Sequence, residues 1–266
     1  MESNHRRSRV VKRSAGVACC RYNRDRKCYE VMLVKKRCTY SFVAFVLGYY
    51  SKRDDSRVKS LFNGMTHSEK VDILSLKYSQ LWYHVMLYYP DYLDINSDRM
   101  SKGDINAYLK KKNKFESMFV VDGGRKLRSI INGTNNAELL WEIPKGRKCK
   151  NELTMDCAIR EFKEETGTKS SHFKVLTHIT PITESYTTMG TTYINKYYLA
   201  HSQSKSNPHM CFSTNTQISE VEDIKWMNIA DVRRCDEIGR LTKQIGKIFK
   251  IYKAYKKKHI NPSIEL

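Results

Sequence analysis

Five glutamates, two arginines and two glycines are gathered in the stretch LLWEIPKGRKCKNELTMDCAIREFKEETGT, from Leu139 to Thr168. Gly146 is followed by Glu152, then by Arg160-Glu161-Phe162-Lys163-Glu164-Glu165 and Gly167. The segment Asp156 to Thr166 reads as a helix, because Met155, Ala158, Ile159 and Phe162 recur at helical intervals on one side. Thr154 is its expected N-cap, and Gly167 suits the left-handed position that ends a helix. On that helix Glu161, Glu164 and Glu165 share a face, so three carboxylates repel unless cations sit among them. Oxygen-only ligation suits Mg²⁺ or Mn²⁺, and a residue without a side chain at 146 lets its carbonyl approach such an ion. A solvated acidic helix face is the plainer alternative, but an acidic cluster runs against a chain of formal net charge +20.

The elements that must hold this stretch can be read on either side of it. Ala15 to Arg37 contains two β-rich runs, AGVACCRY and YEVMLVKKR, joined by the polar NRDRKC, which predicts a hairpin. From Tyr40 the sheet-like patterning stops. Thr66-His67-Ser68-Glu69 resembles a capping box, and Val71 to Tyr89 has helical spacing that ends at Pro90. Ile105 to Phe119 and Arg125 to Ile131 are further helices, the first carrying Lys110-Lys111-Lys112 and Lys114. Leu139 to Ile143 is the strand that feeds the Gly146 loop. After the helix of Asp156 to Thr166, Phe173 to Pro181, Thr192 to Ala200 and Ile218 to Trp226 are expected strands. A basic helix from about Asp236 to Lys258 closes the chain, its Ile238, Leu241, Ile245, Ile248, Ile251, Tyr252 and Tyr255 forming an apolar stripe. No internal repeat is present.

With 266 residues, 40% of them hydrophobic and 29% charged, the composition is that of a globular chain able to bury a sizeable core. Lys and Arg number 48 against 28 Asp and Glu, so polyanions such as RNA, inositol phosphates or an anionic membrane surface are the expected partners. Eight cysteines without a C-x-x-C pair or regular histidine partners argue against zinc. The start, MESNHRRSRVVKR, lacks the apolar core of a signal peptide, and no later run is apolar enough to cross a bilayer. Reduced thiols in a cytosolic protein are therefore expected. The sequon Asn132-Gly133-Thr134 reads as a turn.

The Gly146 to Thr168 stretch resembles the Nudix box, a glycine, a distant Glu and R-E-U-x-E-E-x-G with U apolar; only the last apolar place departs, being Thr168. With WEIPKG, the VKKR before the helical block and the LWYH inside it, the chain from about Ala15 onward is similar to viral mRNA-decapping enzymes of the African swine fever virus kind and, distantly, of the poxvirus kind. The resemblance implies an α/β/α Nudix sandwich with a mixed sheet and an inserted all-helical domain. The expected division is 1–38 as the first Nudix part, 39–132 as the RNA-binding helical insertion, and 133–266 as the second Nudix part with the box and the basic C-terminal helix.

It also implies hydrolysis of the mRNA cap to 7-methyl-GDP and 5′-monophosphate RNA in the cytoplasm, that of the host if the source is viral. Diphosphoinositol polyphosphates or nucleotides are alternative substrates, and an RNA-binding module on a non-catalytic Nudix scaffold is the alternative of another class. By position, Glu161, Glu165 and the Gly146 carbonyl would hold Mg²⁺ or Mn²⁺. Glu164 would act as ligand or base, and Arg160 would orient a neighbouring Glu, with Glu152 as its structural partner. A further metal ligand is expected at Glu220, with Glu222 as competitor on the same strand face. Glu184 substitutes for an acid that relatives carry in the turn before the Tyr193 strand, where Thr188 is the nearest match. Lys145 and Arg147 are expected to meet phosphate, and Tyr40 with Tyr193 to sandwich the methylated guanine through cation–π attraction. The oligomeric state stays open.

Overall fold

The structure is a computed structural model that describes residues 10–51, 53–86, 101–188, 191–204, 208, 210 and 214–259. In chain order the elements are β1 (Val10–Asn23), β2 (Cys28–Lys36), α1 (Tyr40–Val46), α2 (Asp55–Asn63), α3 (His67–Ser75), α4 (Tyr78–Met86), α5 (Lys102–Phe119) and α6 (Arg125–Asn132). Then come β3 (Trp141–Glu142), β4 (Lys145–Gly146), α7 (Thr154–Thr166), β5 (Phe173–Val175), β6 (Ile182–Thr188) and β7 (Thr191–Ser202). The chain ends with α8 (Asn215–Glu220), β8 (Val221–Met227), α9 (Ile229–Cys235) and α10 (Arg240–His259). Two compact units result: Met1–Val34 with Trp141–Gln217 and Asp223–Leu266, and Lys35–Leu140 with Ile218–Glu222.

The first unit is built on a mixed sheet ordered β3-β2-β1-β7-β5, with β4 paired to β1, β6 to β7 and β8 to β2. β1 runs antiparallel to β2 and parallel to β7. Ala15 to Cys20 are buried without a break, as a central strand covered on both faces requires. Ala18 and Cys20 share a core with Ile245, Ile248 and Tyr252 of α10, while Val17 and Cys19 point the opposite way on the strand that α7 lies against. The fold is therefore the expected α/β/α arrangement. The described cysteines are free thiols.

The second unit is helical and has its own core, in which Phe45 makes ring contacts with Tyr50, Phe62, Phe115 and Phe119. The capping box at Thr66 is present, with Thr66 accepting from Glu69 N and the Glu69 carboxylate accepting from Thr66 N. Glu69 also accepts from Thr39 N at 2.7 Å and Thr39 Oγ1 at 2.8 Å, where α1 begins. The next residue, Lys70, is 2% exposed and donates to Thr134 Oγ1 at 3.2 Å and Asn135 O at 2.5 Å, where the chain has left α6. Two adjacent residues of α3 thus tie down both ends of the helical segment. Lys114 donates to Gly48 O and Tyr50 O, and Lys111 lies over the Trp82 ring, so these two lysines have packing roles inside the unit. No helix among the described residues is long and apolar enough to cross a membrane.

Several expected elements differ. The helix from Val71 to Tyr89 is broken into α3 and α4, because Lys77 N finds the Gln80 side chain at 2.9 Å and starts a new helix; Val71 and Leu74 are exposed at 44% and 42%. Tyr89 and Pro90 lie outside the described residues. Strand structure covers only Trp141–Glu142 within Leu139 to Ile143 and only Phe173–Val175 within Phe173 to Pro181. The closing helix begins at Arg240 rather than Asp236, which leaves Ile238 89% exposed, and a separate α9 precedes it.

Candidate active site

The Gly146 loop is fixed by a close approach to β1. Ala15 pairs with Gly146 and Gly16 with Lys145, and a Cβ on Gly16 would stand 2.1 Å from Pro144 O. Only glycine at 16 lets the loop lie this near the sheet. α7 is anchored beside it by Cys157, Ala158 and Phe162, all buried, with Phe162 edge-on to Phe173 at 4.8 Å. Its N-cap is Leu153, with no side-chain cap bond, so Thr154 is the first helical residue and not the cap. Gly167 ends the helix at φ 66, as expected.

The loop and helix bring the box residues together. Arg160 is the centre: it bonds Glu152 at 2.7 and 3.1 Å, Glu161 at 2.9 Å, Glu164 at 3.0 Å and the Arg147 carbonyl at 3.1 Å. The Arg160 guanidinium, then the Cys149 N–H at 2.9 Å, hold the Glu152 carboxyl down at about 2, and Glu152 in turn raises Arg160 further above its ordinary range. Glu165 is 1% exposed and accepts from Lys145 N at 2.9 Å. A Cβ built on Gly146 would fall 2.1–2.2 Å from the Glu161 carboxylate. The carboxylate of α7 therefore occupies the space that a side chain at 146 would need. Cys157 donates to the Gly146 carbonyl at 3.7 Å; burial first, then Glu152, pushes this thiol up to about 11, and it stays protonated.

The donor chemistry of this cradle fits a hard divalent ion: carboxylate oxygens from α7 beside a glycine backbone, with no sulfur or imidazole needed. Among the described residues no three acidic, His or Cys side chains converge as a formed cage, since Arg160 draws Glu161 and Glu164 and the Lys145 N–H draws Glu165. Arg160 stands where a positive charge is needed to keep the anions together.

The remaining expected residues fall as follows. The Lys145 ammonium is ion-paired with Glu142, three residues away in WEIPKG. Arg147 lends its carbonyl to Arg160. Tyr193 stacks on Tyr186 across β6 and β7 at 5.2 Å, with Lys12 5.7 Å from its ring centre and Arg240 4.1 Å from that of Tyr186. Tyr40 is 56% exposed and belongs to the helical unit. Glu184 lies on β6 opposite Asn195, which donates to it at 3.5 Å, while Gln244 donates at 3.3 Å and Arg240 pairs at 3.6 Å. Asn195, Gln244 and Arg240 are thus neighbours of Glu184 that the sequence did not announce, because they come from β7 and α10. Glu220 is the last residue of α8 and not part of a strand, since Gln217 N bonds Thr214 Oγ1 and turns the segment helical before β8 begins at Val221. Glu220 pairs with Lys36 at 2.9 Å and Glu222 with Lys35 at 3.3 Å.

Comparison with known proteins adds the following. The profile of the NUDIX domain matches residues 118–250. The mRNA-decapping protein g5R of African swine fever virus is 33% identical over 253 residues in a Kenyan isolate, covering 92% of this chain and 97% of the relative. A Namibian isolate's g5R is 32% identical over the same length. A protein of Acanthamoeba polyphaga mimivirus, provisionally named as mRNA-decapping, is 31% identical over 216 residues, covering 73% of this chain and 57% of its own.

Proposed function

The chain belongs to the Nudix hydrolase family, and from that premise we propose that it is a divalent-metal-dependent mRNA-decapping pyrophosphohydrolase, releasing 7-methyl-GDP and 5′-monophosphate RNA. The observation that carries this is the likeness to proteins named for mRNA decapping, which runs through 92% of the chain. The intact carboxylate cradle around Arg160 supports catalysis over a non-catalytic RNA-binding scaffold.

In this proposal Glu161, Glu165 and the Gly146 carbonyl hold Mg²⁺ or Mn²⁺, with Glu164 beside them. When bound, such an ion polarises the pyrophosphate and acidifies a water for attack on phosphorus. Glu165 is oriented before substrate arrives, because the Lys145 N–H fixes one of its oxygens. Glu164, 33% exposed at the rim of α7, is the carboxylate best placed to exchange a proton with solvent. Arg160 keeps Glu161 and Glu164 from springing apart, and Glu152 keeps Arg160 in place from the other side. The Lys145 ammonium, paired with Glu142, becomes a phosphate ligand by exchanging that partner. Basic surface elsewhere leads the polynucleotide away from the site.

The test compares capped RNA, a diphosphoinositol polyphosphate and a dinucleoside polyphosphate as substrates, with Mg²⁺, Mn²⁺ or a chelator. Metal-dependent preference for capped RNA supports the proposal. Turnover confined to either small substrate replaces it with the corresponding pyrophosphohydrolase.

A further inference from the structure

At the end of the β1–β2 hairpin farther from the box, Tyr22, Tyr29 and Phe249 wall an open pocket of about 590 Å³, with Lys27 and Lys253 beside them. Gly16 of β1 pairs with Lys145 of the box loop, and Tyr22 lies six positions further along the same strand, about 20 Å away at the rise of a β-strand. The pocket is therefore separate from the carboxylate cradle.

Its walls are held by packing. Tyr22 meets Tyr29 edge-on at 5.1 Å, and Tyr29 in turn contacts Phe249 at 6.4 Å and Tyr252 at 5.8 Å. Its charge is positive. Of the neighbouring acids, Glu30 is held by Arg21 and Arg26 and Asp231 by Arg26 and Arg234, while Asp25 in the same turn is exposed and does not line the pocket. Among the described residues neither Lys27 nor Lys253 pairs with a carboxylate, and the Lys253 ammonium lies 5.2 Å from the Tyr29 ring centre. Lys27 has φ 48, in the left-handed region where glycine or asparagine sits at little cost. A lysine there places an amine at the pocket despite the backbone.

Aromatic faces flanked by unpaired cations are the chemistry that takes up a nucleotide of single-stranded nucleic acid: the base stacks and the phosphate is neutralised. We propose that this pocket holds a nucleotide of the RNA chain downstream of the cap, its base against Tyr22 and Tyr29 and its phosphate between Lys27 and Lys253. This rests on RNA being the substrate, and it adds a second point of attachment that a small pyrophosphate cannot reach.

The test uses the double variant Lys27→Gly with Lys253→Gln, and Tyr22→Ala. Glycine at 27 relieves the backbone, so the double variant keeps its fold. Binding of an uncapped single-stranded RNA oligonucleotide is followed by fluorescence anisotropy across a salt titration, and hydrolysis is measured on a long capped RNA and a capped dinucleotide. The double variant is expected to bind about tenfold more weakly with a salt slope reduced by about 2, and Tyr22→Ala about tenfold more weakly with its slope unchanged. KM rises for the long capped RNA only. Unchanged oligonucleotide affinity and slope overturn the proposal, as does equal weakening on both capped substrates. Should the wild type cleave no capped RNA, the proposed function falls, and the anisotropy arm still decides the pocket.

Discussion

Replacing Arg160 with methionine removes a cation that Glu152, Glu161 and Glu164 share, at distances of 2.7 to 3.0 Å. The side chains are 29% exposed for Arg160 and 14%, 13% and 33% for the three glutamates, so solvent screens part of the network. A fully buried pair broken on one side costs about 3–5 kcal/mol, and an exposed pair about 0–1. This network lies between the two, and the variant is expected to lose about 2 kcal/mol at neutral pH, which at this chain length is a fall in Tm of about 4 °C. The loss depends on pH in a defined direction. In the folded protein Glu152 titrates at about 2, below its ordinary 4.5. Its contribution is therefore full above about 4.5 and disappears as pH falls through about 2. Without Arg160 the folded value returns toward the ordinary one, so the stability gap between wild type and variant narrows as pH is lowered from 5.5 to 3. Urea unfolding of both proteins at a series of pH values measures it. A gap that stays constant with pH, or no destabilisation at pH 7, refutes the account of Arg160 as the charge that assembles the cradle.

Other consequences can be checked alongside. Gly146→Ala puts a methyl 2.1–2.2 Å from the Glu161 carboxylate and displaces it, so hydrolysis is expected to fall at least about a hundredfold while urea stability changes by less than about 1 kcal/mol. Glu164→Gln and Glu165→Gln abolish hydrolysis while RNA binding and folding persist; for Glu165 the amide oxygen still accepts from Lys145 N, so full turnover by both variants removes the assignment. Lys70→Met leaves Asn135 O and Thr134 Oγ1 without their buried donor and destabilises the helical unit by about 1–3 kcal/mol, seen as faster proteolysis within residues 39–135.

The box was legible because every part of it is local: helical spacing places Glu161, Glu164 and Glu165 on one face, and Gly167 marks the end of α7. The capping box at Thr66 was legible for the same reason. What sequence could not supply were partners brought in from other elements. β6 escapes the sequence because ITESYTT carries few apolar residues, and with it the partners of Glu184, which Asn195 and Gln244 hold in the sheet. Glu220 was assigned to a strand because Ile218 and Val221 look β-like, whereas Thr214 bonds both Gln217 N and the Glu164 carbonyl and holds the segment at the end of α7 as a helix. The lysine cluster of α5 looked like an RNA surface, yet Lys114 and Lys111 turn inward to Gly48, Tyr50 and Trp82.

The most direct measurement is product identification from RNA labelled in the cap, incubated with Mn²⁺ and either the wild type or Glu165→Gln. Wild-type release of 7-methyl-GDP, with 5′-monophosphate RNA as the other product and no release by the variant, is the predicted result. Release of 7-methyl-GMP, or equal release by both proteins, would contradict a Nudix decapping site built on the carboxylates of α7.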